Sequence, residues 1–286
     1  MCACRARRCK LADGNGVAIG AAAHGDDGDS DGEVDVLGLK DKVALVTGGS
    51  SGIGEACVRR LAAEDCLVVL SGRDEERCRR VAHAAATERV SWALGDVRRV
   101  ADCERIVRTA VERHGRLDIL VNSAGVWLEK SILDTGEADY DRCMDTCLKG
   151  AYFTMKEALR HMVAARSGVI INIASDSGLH GEPGAAVYSA AKAGLIMASR
   201  ALAIDHGPDG VRVVCVSPGI VDTPMLAQAI AESPDPEAYA AVQADPYPLG
   251  RVGKPEEIAA VVAFLASDEA AWVTGVQWSV DGGVTA

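Results

Sequence analysis

From Val43 onward, short apolar runs alternate with stretches whose apolar residues recur at helical spacing. The runs are Val43–Val46, Leu67–Leu70, Val90–Leu94, Ile119–Val121, Val169–Ile173, Val211–Val216 and Val276–Val280. They are rich in β-branched residues and mostly lack the apolar–polar alternation of a half-exposed strand, so they predict strands buried on both faces. Between them, Glu55–Ala63, Asp74–Thr87, Val100–His114, Glu137–Ala165, Ala186–His206 and Pro255–Ala266 read as helices. In Val100–His114, for example, Cys103, Ile106, Val107, Ala110 and Val111 form one apolar face. Strands separated by crossover helices predict an α/β fold: a doubly wound, seven-stranded parallel sheet flanked by helices in a single domain over 39–286. Pro218–Gly253 breaks the alternation, and 220–250 reads as a lid of short helices over a ligand.

Residues 1–38 follow a different pattern: a basic start, a Gly/Ala stretch and an acidic run over Asp26–Asp35. They hold too little apolar surface to bury and read as a disordered leader. Val17–Ala23 is too short and too weakly apolar for a secretory signal. The net charge of −11 argues against a nucleic-acid partner. No run reaches the length of a membrane span, so no membrane partner is expected. The ten cysteines are scattered, several inside helix or strand patterns, which suggests reduced, packed thiols in a cytoplasmic protein. Cys2, Cys4 and Cys9 lack a second ligand pair, and no metal is expected.

In a parallel sheet, ligands bind beyond the carboxyl ends of the strands where the strand order reverses. Polar or turn-forming residues follow six strands: Thr47–Gly54, Ser71–Arg73, Gly95–Val97, Asn122–Gly125, Ala174–Ser175 and Ser217–Gly219. The first is a glycine turn between a strand and a helix start, where free backbone N–H groups attract phosphate. That is the footprint of an extended ligand such as a dinucleotide.

Tyr188 and Lys192 stand four apart, on one face of a helix. A phenol of pKa about 10 needs roughly 3–4 kcal/mol to come down by two to three units. An ammonium some 4 Å away supplies about 4 kcal/mol at an effective dielectric near 20. The pair can then exchange a proton with a carbonyl or hydroxyl. Ser175, thirteen residues earlier at a strand end, can polarise the same oxygen.

Together these residues resemble the short-chain dehydrogenase/reductase family, from about Lys42 to Gly283. The matching positions are Thr47-Gly48-x-x-x-Gly52-Ile53-Gly54, Asp96, Asn122-x-Ala124-Gly125, Ser175, Tyr188-x-x-x-Lys192, Pro218-Gly219 with Thr223, and Asp281-Gly282-Gly283. The resemblance implies a Rossmann-type domain with Tyr188 as acid/base, Lys192 lowering its pKa and binding the nicotinamide ribose, and Ser175 holding the substrate oxygen. It implies that Gly48, Gly52 and Gly54 cradle the pyrophosphate, that Asp96 reaches the adenine, and that Ser50, Ser51, Ile53 and Val97 also bind the cofactor. Asn122, Ala124 and Gly125 would border the cofactor, with Pro218, Gly219, Ile220 and Thr223 at the nicotinamide. Two positions depart from the family: Ser123 replaces an asparagine, and Cys147 stands where the family's fourth catalytic residue is asparagine. The latter predicts a weakened proton relay.

The end of the second strand carries Gly72 and Arg73, with no carboxylate at the family's acid position, which favours NADP(H) over NAD(H). The implied substrate is a small alcohol or ketone, hydrophobic or alicyclic, between largely apolar walls at Val126–Leu128, Gly178–Pro183 and Met225–Tyr247. A 3-oxoacyl thioester is the alternative substrate, and a redox sensor with little turnover is the alternative function. Gln277–Gly283 resembles the part such proteins use to form a homo-oligomer, a tetramer or dimer.

Overall fold

The computed structural model describes Asp35, 37–85 and 87–286. The expected disordered leader and the cysteines at 2, 4 and 9 thus lie outside the described residues, apart from Asp35, Leu37 and Gly38. The Asp35 carboxylate accepts from the backbone N–H groups of Leu39 and Lys40.

Seven strands form one parallel sheet in the order β3-β2-β1-β4-β5-β6-β7. They are β1 (Val43–Thr47), β2 (Leu67–Gly72), β3 (Val90–Leu94), β4 (Ile119–Asn122), β5 (Gly168–Ile173), β6 (Val211–Pro218) and β7 (Gln277–Val280). The helices are α1 (Gly52–Ala63), α2 (Glu75–Ala84), α3 (Val100–His114), α4 (Glu137–Met144), α5 (Gly150–Ala165), α6 (Ala186–His206), α7 (Pro224–Glu232), α8 (Pro236–Ala241) and α9 (Pro255–Ala266). Asp74 caps α2 by accepting from the Arg77 N–H at 3.1 Å, so this helix starts one residue later than its sequence pattern suggests.

The apolar runs of the inner strands divide between two cores by their period of two, whereas β7, at the sheet edge, is half-exposed. Ala44, Val46, Val68 and Leu70 pack with α1, α2 and α9. Val43, Leu45, Val69 and Leu120 pack with α3, α5 and α6. Each fully buried Leu or Val side chain contributes about 1.5–3 kcal/mol of burial free energy, which is why the continuous runs become central strands.

The expected long helix over Glu137–Ala165 is two helices joined by a π-helical turn, Asp145–Lys149. Residues 219–254 hold α7 and α8, and neither helix contributes a buried residue. Among the described residues, Ala186–Asp209 is long and apolar enough to cross a membrane, whereas no run was expected to be. It contains α6, which packs on β6 and carries Tyr188 and Lys192.

Candidate active site

The strand order reverses between β1 and β4, and a cleft of about 620 Å³ opens past the strand ends there. Its first wall is the glycine turn after β1. Gly48 has φ +67°, and a Cβ there would lie 2.8 Å from the Ala124 backbone. A Cβ on Gly54 would collide with the Gly48 carbonyl oxygen. These two glycines let the turn close tightly, so that the start of α1 faces the cleft. Thr47 Oγ1 accepts from the N–H groups of Ser123 and Ala124, which ties the β4 loop to β1. Opposite the turn, Thr223 lies 3.3 Å from where a Gly52 Cβ would be.

Gly48, Ser50, Ser51, Gly52, Ile53, Gly54, Arg73, Asp96, Val97, Ala124, Gly125, Ser175, Tyr188, Lys192, Pro218, Gly219, Ile220 and Thr223 all line this cleft. Asn122 does not. Its side chain lies in the sheet, donating to Asn172 Oδ1 at 2.8 Å, and its own Oδ1 has no partner among the described residues. The direction of the β4 pleat, which its family position cannot convey, turns that amide inward. Asp96 lines the cleft, but its carboxylate is held by Arg98, which keeps it below the usual carboxylate range with a smaller contribution from Arg73.

At the end of β2 the acid position is Gly72, where a Cβ would meet Ser50 Oγ at 2.9 Å. Arg73 and Arg77 both line this end. The residues therefore fit a dinucleotide: a tight glycine cradle at a helix start, two guanidinium groups beside it, and a strip of polar strand ends running to Tyr188.

Ser175 lies two residues beyond the end of β5 and caps a 3₁₀ turn, Asp176–Gly178. Its hydroxyl donates to Asp176 Oδ1 at 2.9 Å. A Cβ on Gly178 would lie 2.9 Å from the Lys192 carbonyl carbon, so the absent side chain lets this turn sit against α6 beside Tyr188 and Lys192. Tyr188 is buried, with Trp127 edge-on at 4.8 Å between ring centroids. Lys192 is also buried; its Nζ donates to the Ile173 carbonyl at 2.8 Å and lies 5.5 Å from the Tyr188 ring centroid.

Burial pushes the Tyr188 phenol above its ordinary pKa, charge at Cys147 pushes the same way, and a hydrogen bond with Ser175 pulls it back. This differs from the expectation that Lys192 brings the phenol down, because loss of water around the hydroxyl is the larger effect. Cys147 occupies the π turn. Its Sγ accepts from the Val126 N–H and donates to the Val126 carbonyl, both at 3.4 Å. A hydrogen bond from Cys143 and the nearby Lys192 ammonium lower its pKa against the cost of burial, while the same bond and burial raise that of Cys143.

The substrate end corrects the expectation of apolar walls. Val126, Trp127, Met225 and Tyr239 line it, but so do Glu129, Asp176 and Glu182. Tyr247 is buried instead, its hydroxyl accepting from the Ile220 N–H at 2.6 Å. The three acids share no spacing pattern in the chain, and only the first residue after Ser175 could have been singled out from its position.

Comparison with known proteins agrees with this geometry. A family profile described as enoyl-(acyl carrier protein) reductase matches residues 48–285. A meso-2,3-butanediol dehydrogenase of Serratia marcescens is 40% identical over 247 residues, covering 86% of this chain and 95% of that one. A 3-oxoacyl-[acyl-carrier-protein] reductase of Chlamydia muridarum is 37% identical over 249 residues, covering 86% and 98%. The crystal structure of gox2181 superposes with a TM-score of 0.82 at 35% identity, covering 88% of this chain and 98% of that one. With a glycine-turn dinucleotide cleft, a Ser–Tyr–Lys set at its far end and relatives matched along almost their whole length, this chain belongs to the short-chain dehydrogenase/reductase family as an NAD(P)-dependent oxidoreductase.

Proposed function

We propose that the protein interconverts an alcohol and a ketone, with Tyr188 as the acid/base, Ser175 orienting the substrate oxygen and Lys192 stabilising the phenolate. The observation that carries this reading is the convergence of Ser175, Tyr188 and Lys192 at one end of the cleft whose other end is the glycine turn. A bound nicotinamide dinucleotide supplies the hydride acceptor or donor.

The chain's own part is proton handling. In the reduction direction the buried Tyr188 phenol is protonated and ready to donate to the carbonyl oxygen, which Ser175 holds by hydrogen bonding. The Lys192 ammonium then stabilises the phenolate left behind. Oxidation runs the same transfer backwards and needs the phenolate first. Trp127, packed edge-on against the phenol, keeps water from that face.

The cofactor is NADP(H) in preference to NAD(H), supported by Arg73 and Arg77 at the ribose end and by the lack of room for an acid at Gly72. The α7–α8 segment serves as the lid. The half-exposed edge strand β7 supports a homo-oligomer, and the buried, unpaired cysteines a cytoplasmic location. A screen of secondary alcohols and ketones, following nicotinamide absorbance, tests the activity. Turnover should fall by at least about a hundredfold in Tyr188→Phe, the usual size of a lost general acid/base. Dinucleotide binding with no turnover of any alcohol or ketone would instead indicate a sensor.

A further inference from the structure

Unbalanced negative charge gathers at one end of the cleft. The dinucleotide end sets Arg73 and Arg77 beside Asp74 and Asp96, whereas Glu129, Asp176 and Glu182 lie around the reacting end. Among the described residues, the one lysine or arginine lining that end is Lys192, whose Nζ is turned to the Ile173 carbonyl. Each of the three carboxylates keeps an oxygen that accepts no hydrogen bond among the described residues. Asp176 Oδ1 accepts from Ser175 Oγ and the Ser177 N–H, while Oδ2 faces only His180 Nε2 at 3.9 Å. Glu182 Oε2 accepts from Ser177 Oγ at 2.8 Å, which leaves Oε1. Glu129 Oε2 accepts from Tyr239 and Trp127, again leaving Oε1.

We propose that the substrate is an amino alcohol or amino ketone, held by its protonated amine among Asp176, Glu182 and Glu129 while its oxygen lies between Ser175 and Tyr188. This rests on the alcohol–ketone reading above and names the substrate class of the same site. An ammonium brings three N–H donors and a positive charge to a wall that has spare acceptors and negative charge. The need is sharpest at Asp176, which is buried. Burial, and to a lesser extent the charge of Glu182, raise its pKa against the hydrogen bond from Ser175. A cation within a few ångströms offsets both effects. The same wall repels anions, so carboxylate substrates and phosphate-bearing acyl carriers are disfavoured by design of the charge rather than by shape. The net charge of −11 adds long-range attraction for a cation.

The test pairs 1-amino-2-propanol with 2-butanol, which carries a methyl group in place of the ammonium, at fixed pH and ionic strength. The expected kcat/KM ratio favours the amine by at least about tenfold, and falls toward one in Glu182→Gln and in Glu129→Gln. Turnover of 2-butanol without preference for the amine would overturn the substrate class and leave the oxidoreductase reading standing. Calorimetric titration with isopropylammonium chloride reads the site without turnover. Binding should weaken by about tenfold in Glu182→Gln. No binding, or equal binding by the two proteins, overturns the inference. Amine binding with no turnover of any alcohol or ketone would overturn the activity and keep the cation site.

Discussion

Negative charge on Cys147 disfavours a second one on the neighbouring Tyr188, so ionisation of the thiol and of the phenol oppose each other. A phenol whose pKa is raised stays protonated through neutral pH, which serves ketone reduction and starves alcohol oxidation of its base. The rate of oxidation should therefore climb with pH without a plateau below about 10, the ordinary value for tyrosine. Asn in place of Cys147 keeps partners for both the Val126 N–H and carbonyl but carries no ionisable proton. In Cys147→Asn the oxidation limb should move to lower pH, with a gain of up to about tenfold at pH 8 for each unit of displacement. A pH–rate profile of both proteins checks this, and an unmoved limb would remove Cys147 from the proton-transfer chemistry.

At the scale of elements, the site depends on one close approach. The 3₁₀ turn that follows β5 reaches α6 because Gly178 has no side chain, and that contact holds Ser175 beside Tyr188. Gly178→Ala places a methyl group 2.9 Å from the Lys192 backbone. It should destabilise the fold by about 1–3 kcal/mol, the usual range for overpacking a tight contact. The displaced Ser175 should also lower kcat more than it raises KM for the dinucleotide, because the glycine turn is remote from the change. Denaturant unfolding and steady-state kinetics together separate these effects; a stable protein with normal kcat would show that the turn has slack. The π turn at Asp145–Lys149 is a second such device, since it aims Cys147 Sγ at Val126 between two ordinary helices.

For the whole molecule, a dinucleotide that binds only the folded state stabilises it by about 2.7 kcal/mol at a hundred times its Kd. Thermal unfolding with NADPH and with NADH thus compares the two cofactors without any substrate. NADPH should give the larger rise in Tm, and Arg73→Ala should remove most of the difference by deleting a guanidinium partner for the 2′-phosphate. A larger rise with NADH in the unaltered protein would reverse the cofactor assignment.

Much of this was legible in the order of residues alone. Continuous apolar runs can satisfy both their faces only inside a parallel sheet, so the inner strands and the crossover helices follow from local pattern, while β7 is a half-exposed edge. The glycine turn and the Tyr188–Lys192 pair were equally local, because a turn needs its glycines and a helix face its spacing within a few positions. Other features depended on contacts between distant segments. The inward turn of Asn122 toward Asn172, the hold of Arg98 on Asp96, and burial of the Tyr188 hydroxyl each depend on which neighbour arrives across the fold. So does the placing of Glu129, from the loop after β4, in the same cleft as Asp176 and Glu182, which share the β5–α6 connection. Short-range pattern determines which backbone forms, whereas electric fields and solvent exclusion sum over everything nearby in space, and only the folded chain decides what is near.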